Sequence, residues 1–303
     1  MIVIGMHRSG TTLLSRLLTD MGVHMGADTT TANAESLFFL NLNNSVLRQA
    51  SATWFTPLPF ADVVDHKDCQ SRYCTHLIEQ LNSSSFSQFE GDEFHAGNYR
   101  WGWKDPRSTI TLPLWLKIFP QAKVIHIVRN GVGVANSLVE RDRRTFPRTL
   151  RSRVRRAARC VYPLPPGSRS TPFRSLQEPF DLWSHYLSLA SRFTERLSSE
   201  QLLTFRFEDL AARAVSVLSQ IGDFLDLQHD EEFMQKLAST IQTDKVFAWT
   251  QNPQLTEFHD LCRESPLMQR FGYDTPACQT GQAASSKLRT RVRTGCDPAG
   301  APT

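Results

Sequence analysis

The sequence holds little that would build a metal centre or a disulfide framework. Its six cysteines, at 69, 74, 160, 262, 278 and 296, are scattered. Cys69-x4-Cys74 is the one close pair, and no C-x-x-C or Cys/His cluster has zinc spacing. Free thiols in a reducing compartment, and no bound metal, are the expectation. Long apolar runs are missing too. Nothing approaches the roughly 20 consecutive apolar residues of a membrane-spanning helix. No basic, apolar signal segment precedes the first strand-like run, which begins at Met1, so no membrane span and a cytoplasmic location are expected. Charge of one sign is also scarce. A net +4 is milder than a general nucleic-acid binder carries, so nucleic acid is not an expected partner.

What is present is ordinary globular material: 303 residues, 40% hydrophobic and 21% charged, enough for one large α/β domain. The most informative stretch is the first. Met1-Ile2-Val3-Ile4 is apolar and breaks at Gly5-Met6-His7-Arg8-Ser9-Gly10-Thr11-Thr12, and the amphipathic Leu13–Leu18 follows. Strand, glycine-bounded loop and helix form a phosphate cradle, because loop amides and a helix N-terminus point into one anion-sized hollow. The spacing fits the P-loop pattern G-x-x-x-x-G, but Thr11 stands where an ATP-binding loop carries lysine, and the cation is Arg8. The missing lysine argues against triphosphate chemistry. Arg8 can instead grip one anionic group by a bidentate contact.

Further strands alternate with helices. A helical stretch is expected across Leu37–Leu40 and Val46-Leu47, a weaker one near His76–Leu81, and a short one from Leu112 to Phe119 that stops at Pro120. Ala122–Val128 is a near-continuous apolar run, typical of a strand buried on both faces, and leads through Arg129-Asn130-Gly131 into a helix of about 132–140. Leu202–Phe207 is a third strand candidate, and Ala214–Leu225 a helix beyond it. This order predicts a three-layer α/β fold of the P-loop type, a central parallel sheet flanked by helices, with ligands at the carboxyl ends of the strands. The domain is expected to span 1–275. Within it, 141–159 carries nine arginines against one acid, Asp142, and runs into a Pro/Ser/Gly-rich stretch; a surface insertion at about 141–179 is expected. Those arginines form either the solvated face of a helix or a contact for an acidic acceptor. Residues 276–303, nearly devoid of large apolar side chains, read as a disordered tail.

A second anion site is expected past the middle strand. Arg129 lies at its carboxyl end, Ser137 falls eight residues on, and Arg141 is one turn beyond Ser137 on the same helix face. With these residues in view, the chain resembles the sulfotransferases that use 3′-phosphoadenosine 5′-phosphosulfate (PAPS). Gly5–Thr12 is similar to that family's 5′-phosphosulfate loop, and Arg129 through Ser137 to its 3′-phosphate motif, spacing included. Trp103-Lys104-Asp105-Pro106-Arg107 resembles a Lys-Asp-Pro segment of bacterial and tyrosyl-protein members, and Phe205-Arg206-Phe207-Glu208-Asp209-Leu210 resembles their R-Y-E-D-L strand end. Phe207 departs from it by replacing a tyrosine. The resemblance runs from 1 to about 275.

It implies transfer of a sulfuryl group from PAPS to an acceptor hydroxyl, releasing adenosine 3′,5′-bisphosphate without a metal. A sulfuryl group carries less charge than a phosphoryl group, so side-chain cations can neutralise the transition state. Arg8, Ser9, Gly10, Thr11 and Thr12 are the expected 5′-phosphosulfate contacts; Arg129, Ser137 and Arg141 are those for the 3′-phosphate, with Lys245 a further candidate. Lys104 is assigned to the bridging oxygen. For the general base the resemblance points to Glu35, with Glu93, His95 and Asp92 as alternatives. Asp105 reads as a structural acceptor and His126 as a core residue. The acceptor, whether carbohydrate, small molecule or peptide, is left open. Two other classes stay in play: an ATP-dependent P-loop kinase needing magnesium, and a non-catalytic polyanion-binding module built on the arginine-rich segment.

Overall fold

Ile2, Val3 and Ile4 are fully buried, and this short β-branched run makes β1 (Ile2–Ile4). The computed structural model describes residues 1–92, 100–145, 172–242 and 246–275. The other strands are β2 (Trp103–Lys104), β3 (Val124–Val128) and β4 (Leu202–Arg206). All pair in parallel in the order β2-β1-β3-β4, with Ile2 opposite both Trp103 and Val124, and Val124 opposite Leu202.

Helices α1 (Thr11–Asp20), α2 (Leu37–Gln49), α3 (Leu58–Val63), α4 (Lys67–Leu81), α5 (Ser87–Glu90) and α6 (Ser108–Ile118) precede β3. After it come α7 (Gly131–Thr145), α8 (Gln177–Thr194), α9 (Phe207–Ala212), α10 (Ala214–Leu225), α11 (Glu231–Ser239), α12 (Pro253–Cys262) and α13 (Pro266–Arg270). Alternation along the strands divides them into two layers. Ile2, Ile4, Val124 and Val128 pack with Phe39 of α2, Tyr73 of α4, Trp115 of α6 and Trp183 of α8. Val3, Ile125 and Ile127 point the other way, onto Leu14, Leu17 and Leu18 of α1, Ile221 of α10 and Met234 of α11. Three layers follow directly, as expected from the strand–helix alternation.

The differences in detail have physical causes. The helix expected from Leu112 begins at Ser108. Pro113 inside it removes one backbone bond, at about 3 kcal/mol. Four fully buried side chains around it (Ile110, Leu112, Leu114 and Trp115) each contribute about 1.5–3 kcal/mol, which outweighs that loss. β4 stops at Arg206 because Phe207 already opens α9. β2 was not foreseen, since two residues give no periodicity to read. Both ends of the 141–179 segment are helical, in α7 and α8. Its middle, residues 146–171, and the 276–303 tail lie outside the described residues.

Candidate active site

Three strand ends and one helix start meet at the site. The loop between β1 and α1 is shaped by backbone that few residues tolerate: Gly5 at φ 152°, Arg8 at φ 71° and Gly10 at φ 93°. A Cβ on Gly5 would lie 2.6 Å from the Ile127 carbonyl, and one on Gly10 would lie 2.3 Å from the Phe207 ring. Thr109 at the start of α6 braces the loop, its Oγ1 accepting from the Gly5 amide at 2.9 Å. Gly10 is the N-cap of α1 and offers no side-chain acceptor; the first turn holds no acid either. The leading N–H groups and the positive end of the helix dipole are thus uncompensated by side chains. Ser9 is fully buried, and its Oγ has no hydrogen-bond partner among the described residues.

Two cationic side chains knit the loop to the end of β3. Arg8 Nε donates to Ser137 Oγ on α7 at 2.9 Å, and Arg129 donates to the Arg8 carbonyl at 3.1 Å. Arg129 also lies over the Phe207 ring, 4.8 Å from its centroid, and its Nε is buried without a hydrogen-bond partner among the described residues. Phe207 therefore wedges between the glycine loop and Arg129. Arg141 stands near Arg8, pairing with Asp142 at 3.1 Å and lying 5.1 Å over Trp54. Burial, then Arg141, Arg129 and Arg144, hold the Arg8 guanidinium below its ordinary value. So many cations with so few acids among them make a pocket suited to a polyanion.

The third element comes from β2. Lys104 is buried, and its Nζ donates to the Asn33 carbonyl at 2.5 Å and to Glu35 Oε1 at 3.3 Å. Burial lowers the lysine pKa against the pull of Glu35. Burial likewise raises the Glu35 pKa, opposed by Lys104. The segment carrying Glu35 hangs on α1, where Thr12 Oγ1 donates to the Asn33 carbonyl and Ser15 Oγ to that of Ala34, itself at φ 48°. Asp105, next along, accepts from Asn43 at 2.7 Å and from Arg107 at 2.8 Å. Asn43 bonds onward to Ser108, Thr111 and Trp115, so Asp105 belongs to a buried brace behind Lys104.

The structure thus brings Arg8, Ser9, Gly10, Thr11, Thr12, Arg129, Ser137, Lys104 and Glu35 to one end of the sheet. Asp92 is exposed, while Glu93, His95 and Lys245 lie outside the described residues. His126 is buried in β3, as expected of a core residue; burial and Arg270 depress its pKa to about 4. Other neighbours of the site went unrecognised in the sequence. His7 packs against Trp54 and Tyr186, with ring centroids 4.6 and 6.1 Å away. Its pKa is pushed well down by burial and then by Arg107, Arg141, Lys104 and Arg8, so the imidazole is neutral at pH 7. Trp54 and Tyr186 carry no motif, and only the fold brings them there.

A glycine loop, two linked arginines and a buried Lys–Glu pair lie where open α/β sheets bind their ligands, at the carboxyl ends of parallel strands. The family model described as "Sulfotransferase family" matches residues 1–231, and the chain belongs to the sulfotransferase family. It is therefore a transferase of sulfuryl groups, and neither the kinase nor the polyanion-module reading is favoured. Solved structures similar to it include the sulfotransferase domain from the curacin biosynthetic pathway, at 19% identity, 82% of this chain, 80% of that chain and TM-score 0.44. Another is sulfotransferase STF1 of Mycobacterium tuberculosis H37Rv, at 17% identity, 79% and 70% coverage and TM-score 0.44. Mouse sulfotransferase SULT7A1, solved in complex with PAP, gives 15% identity, 89% and 87% coverage and TM-score 0.42. No protein in the curated set matches. Among the described residues no helix is long and apolar enough to cross a membrane, and no group of three or more His, Cys, Asp or Glu could hold a metal ion.

Proposed function

We propose that this sulfotransferase takes its sulfuryl group from PAPS and delivers it to an acceptor hydroxyl by metal-independent in-line displacement, within a catalytic domain spanning 1–275. One observation carries the reading. The two anion motifs, 121 residues apart at Arg8 and Arg129, are hydrogen-bonded to each other beside the buried Lys104–Glu35 pair. A donor with a phosphosulfate and a second phosphate suits two linked arginine sites better than a single-phosphate ligand does. The unpartnered Ser9 Oγ and Arg129 Nε fit the same donor, since each is a buried hydrogen-bonding group in need of a partner.

When bound, PAPS supplies an activated sulfuryl group on a phosphate anhydride. Arg8, the amides of Ser9 to Thr12 and their hydroxyls hold the 5′-phosphosulfate, while Arg129 and Ser137, with Arg141 alongside, hold the 3′-phosphate. Lys104 Nζ presents its charge where the bridging oxygen becomes negative, preorganised by Asn33 and Glu35. Glu35 takes the proton of the acceptor hydroxyl. Burial supports that role by raising its proton affinity toward neutral pH. The acceptor is a hydroxyl-bearing carbohydrate, small molecule or peptide. Cys69, Cys74 and Cys262 are free, which suits a reducing compartment such as the cytoplasm.

Calorimetry with adenosine 3′,5′-bisphosphate and with ATP–Mg tests the donor. Micromolar bisphosphate affinity, lost in Arg8→Ala and in Arg129→Ala, is expected; tighter binding of ATP–Mg by the wild type sinks the proposal.

A further inference from the structure

The turn that carries Arg129 is held at several points, and one of them is a buried carboxylate. The Arg129 carbonyl accepts from Trp183 Nε1 at 3.0 Å, and its guanidinium reaches the Arg8 carbonyl across Phe207. The peptide just after Arg129 is pinned by Glu208: the Asn130 amide donates to Glu208 Oε1 at 3.0 Å. Asn130 in turn caps α7, its Oδ1 accepting from Val132 and Gly133 at 2.9 and 3.3 Å. The second Glu208 oxygen accepts from Tyr273 at 2.7 Å, and the same hydroxyl lies 3.3 Å from the Val128 carbonyl, one residue before Arg129. Glu208 and Tyr273 are 6% and 4% exposed, so these bonds form out of water. A buried acid is costly unless its oxygens are satisfied, and here one is satisfied by the turn that carries Arg129 and the other by Tyr273.

We infer that Glu208, locked by Tyr273, is a positioning residue for the second-phosphate subsite: it fixes the Val128–Asn130 turn so that Arg129 points at the 3′-phosphate of the donor. The inference rests on the PAPS reading above. Glu208 touches no donor atom itself and acts through Arg129. It follows that residues 253–275, although far along the chain from both anion motifs, set the nucleotide preference through Tyr273.

The test measures binding of adenosine 3′,5′-bisphosphate and of adenosine 5′-monophosphate to the full chain, with thermal melts alongside. Wild type prefers the bisphosphate, and Arg129→Ala erases about tenfold or more of that preference. Glu208→Ala is expected to lose a comparable share while keeping its affinity for the monophosphate. Glu208→Gln, which retains an acceptor for the Asn130 amide, restores most of it. Tyr273→Phe, the milder change, loses about threefold and serves if Glu208→Ala does not fold. A Glu208→Ala or Tyr273→Phe protein with wild-type preference overturns the inference, as does one weakened equally toward both ligands. Wild type that does not distinguish the two nucleotides instead overturns the PAPS reading on which the inference rests.

Discussion

The Lys104–Glu35 pair is where folding energy and chemistry meet, and a double-mutant cycle can separate them. At 3.3 Å, with an effective dielectric constant of about 20, Coulomb's law gives about 5 kcal/mol of attraction, offset by the desolvation of both ions. Lys104→Met keeps the length of the side chain, removes the ammonium and leaves the buried Glu35 carboxylate alone. Breaking one side of such a pair costs about 3–5 kcal/mol. Glu35→Gln breaks it from the other side. The double variant should then cost clearly less than the sum of the singles, by about 2 kcal/mol or more. The loss in Lys104→Met is also pH-dependent. Burial already raises the Glu35 pKa above the usual 4.5, and without Lys104 nothing nearby opposes it as strongly. A carboxyl whose folded pKa is raised stabilises the fold at low pH, and that contribution is lost as pH climbs through the folded value. Lys104→Met should therefore be more damaging at about pH 8 than at about pH 5. Urea denaturation of the four proteins at both pH values is the assay. Additive single-variant costs, or a Lys104→Met penalty flat across pH, would refute the picture of a buried, coupled pair.

Other outcomes follow from single residues. Gly10→Ala places a Cβ 2.3 Å from Phe207 at φ 93°, so bisphosphate binding by calorimetry should fall sharply, with about 1–3 kcal/mol lost from stability; unchanged binding would contradict the loop geometry. If Glu35 is the base, sulfuryl transfer should decline as the pH drops through its raised pKa, an acid limb above the usual 4.5, and Glu35→Gln should abolish that limb with the rate; an acid limb persisting in Glu35→Gln removes Glu35 from the role. His126, depressed to about 4 by burial, must stay neutral in the fold, so its share of stability, at most about 3 kcal/mol, is lost as pH falls from 6.5 toward 4. Wild type should lose melting temperature relative to His126→Met as pH falls from 6.5 toward 4, and curves that stay parallel would show that His126 does not titrate as its burial implies.

The two anion motifs were legible because each joins a local backbone requirement to a local charge. Gly5 and Gly10 sit where φ is positive, and Arg8 replaces a lysine within one short loop. Arg129 and Ser137 keep a helical spacing that needs no tertiary knowledge to interpret. β3 announces itself by a near-continuous apolar run, and α10 falls where a helix of about 214–225 was expected. Glu35 and Lys104 were picked out separately, by resemblance, with nothing in 69 residues of separation to say that they touch.

The contacts between those pieces belong to the fold. Parallel strands carry every carboxyl end to one edge, so residues 8, 104, 129 and 207 become neighbours only once β1, β2, β3 and β4 are in register. Phe207, which reads in the sequence as a lost tyrosine hydroxyl, is in space the wedge between Gly10 and Arg129. Glu208 and Tyr273, 65 residues apart, meet behind the same turn. Short-range order, periodicity and φ requirements are written in neighbouring residues, and from them the loop, the strands and the cation's displacement could be read. Which buried charges face each other depends on long-range packing of the two helical layers on the sheet, and that the tertiary structure alone decided.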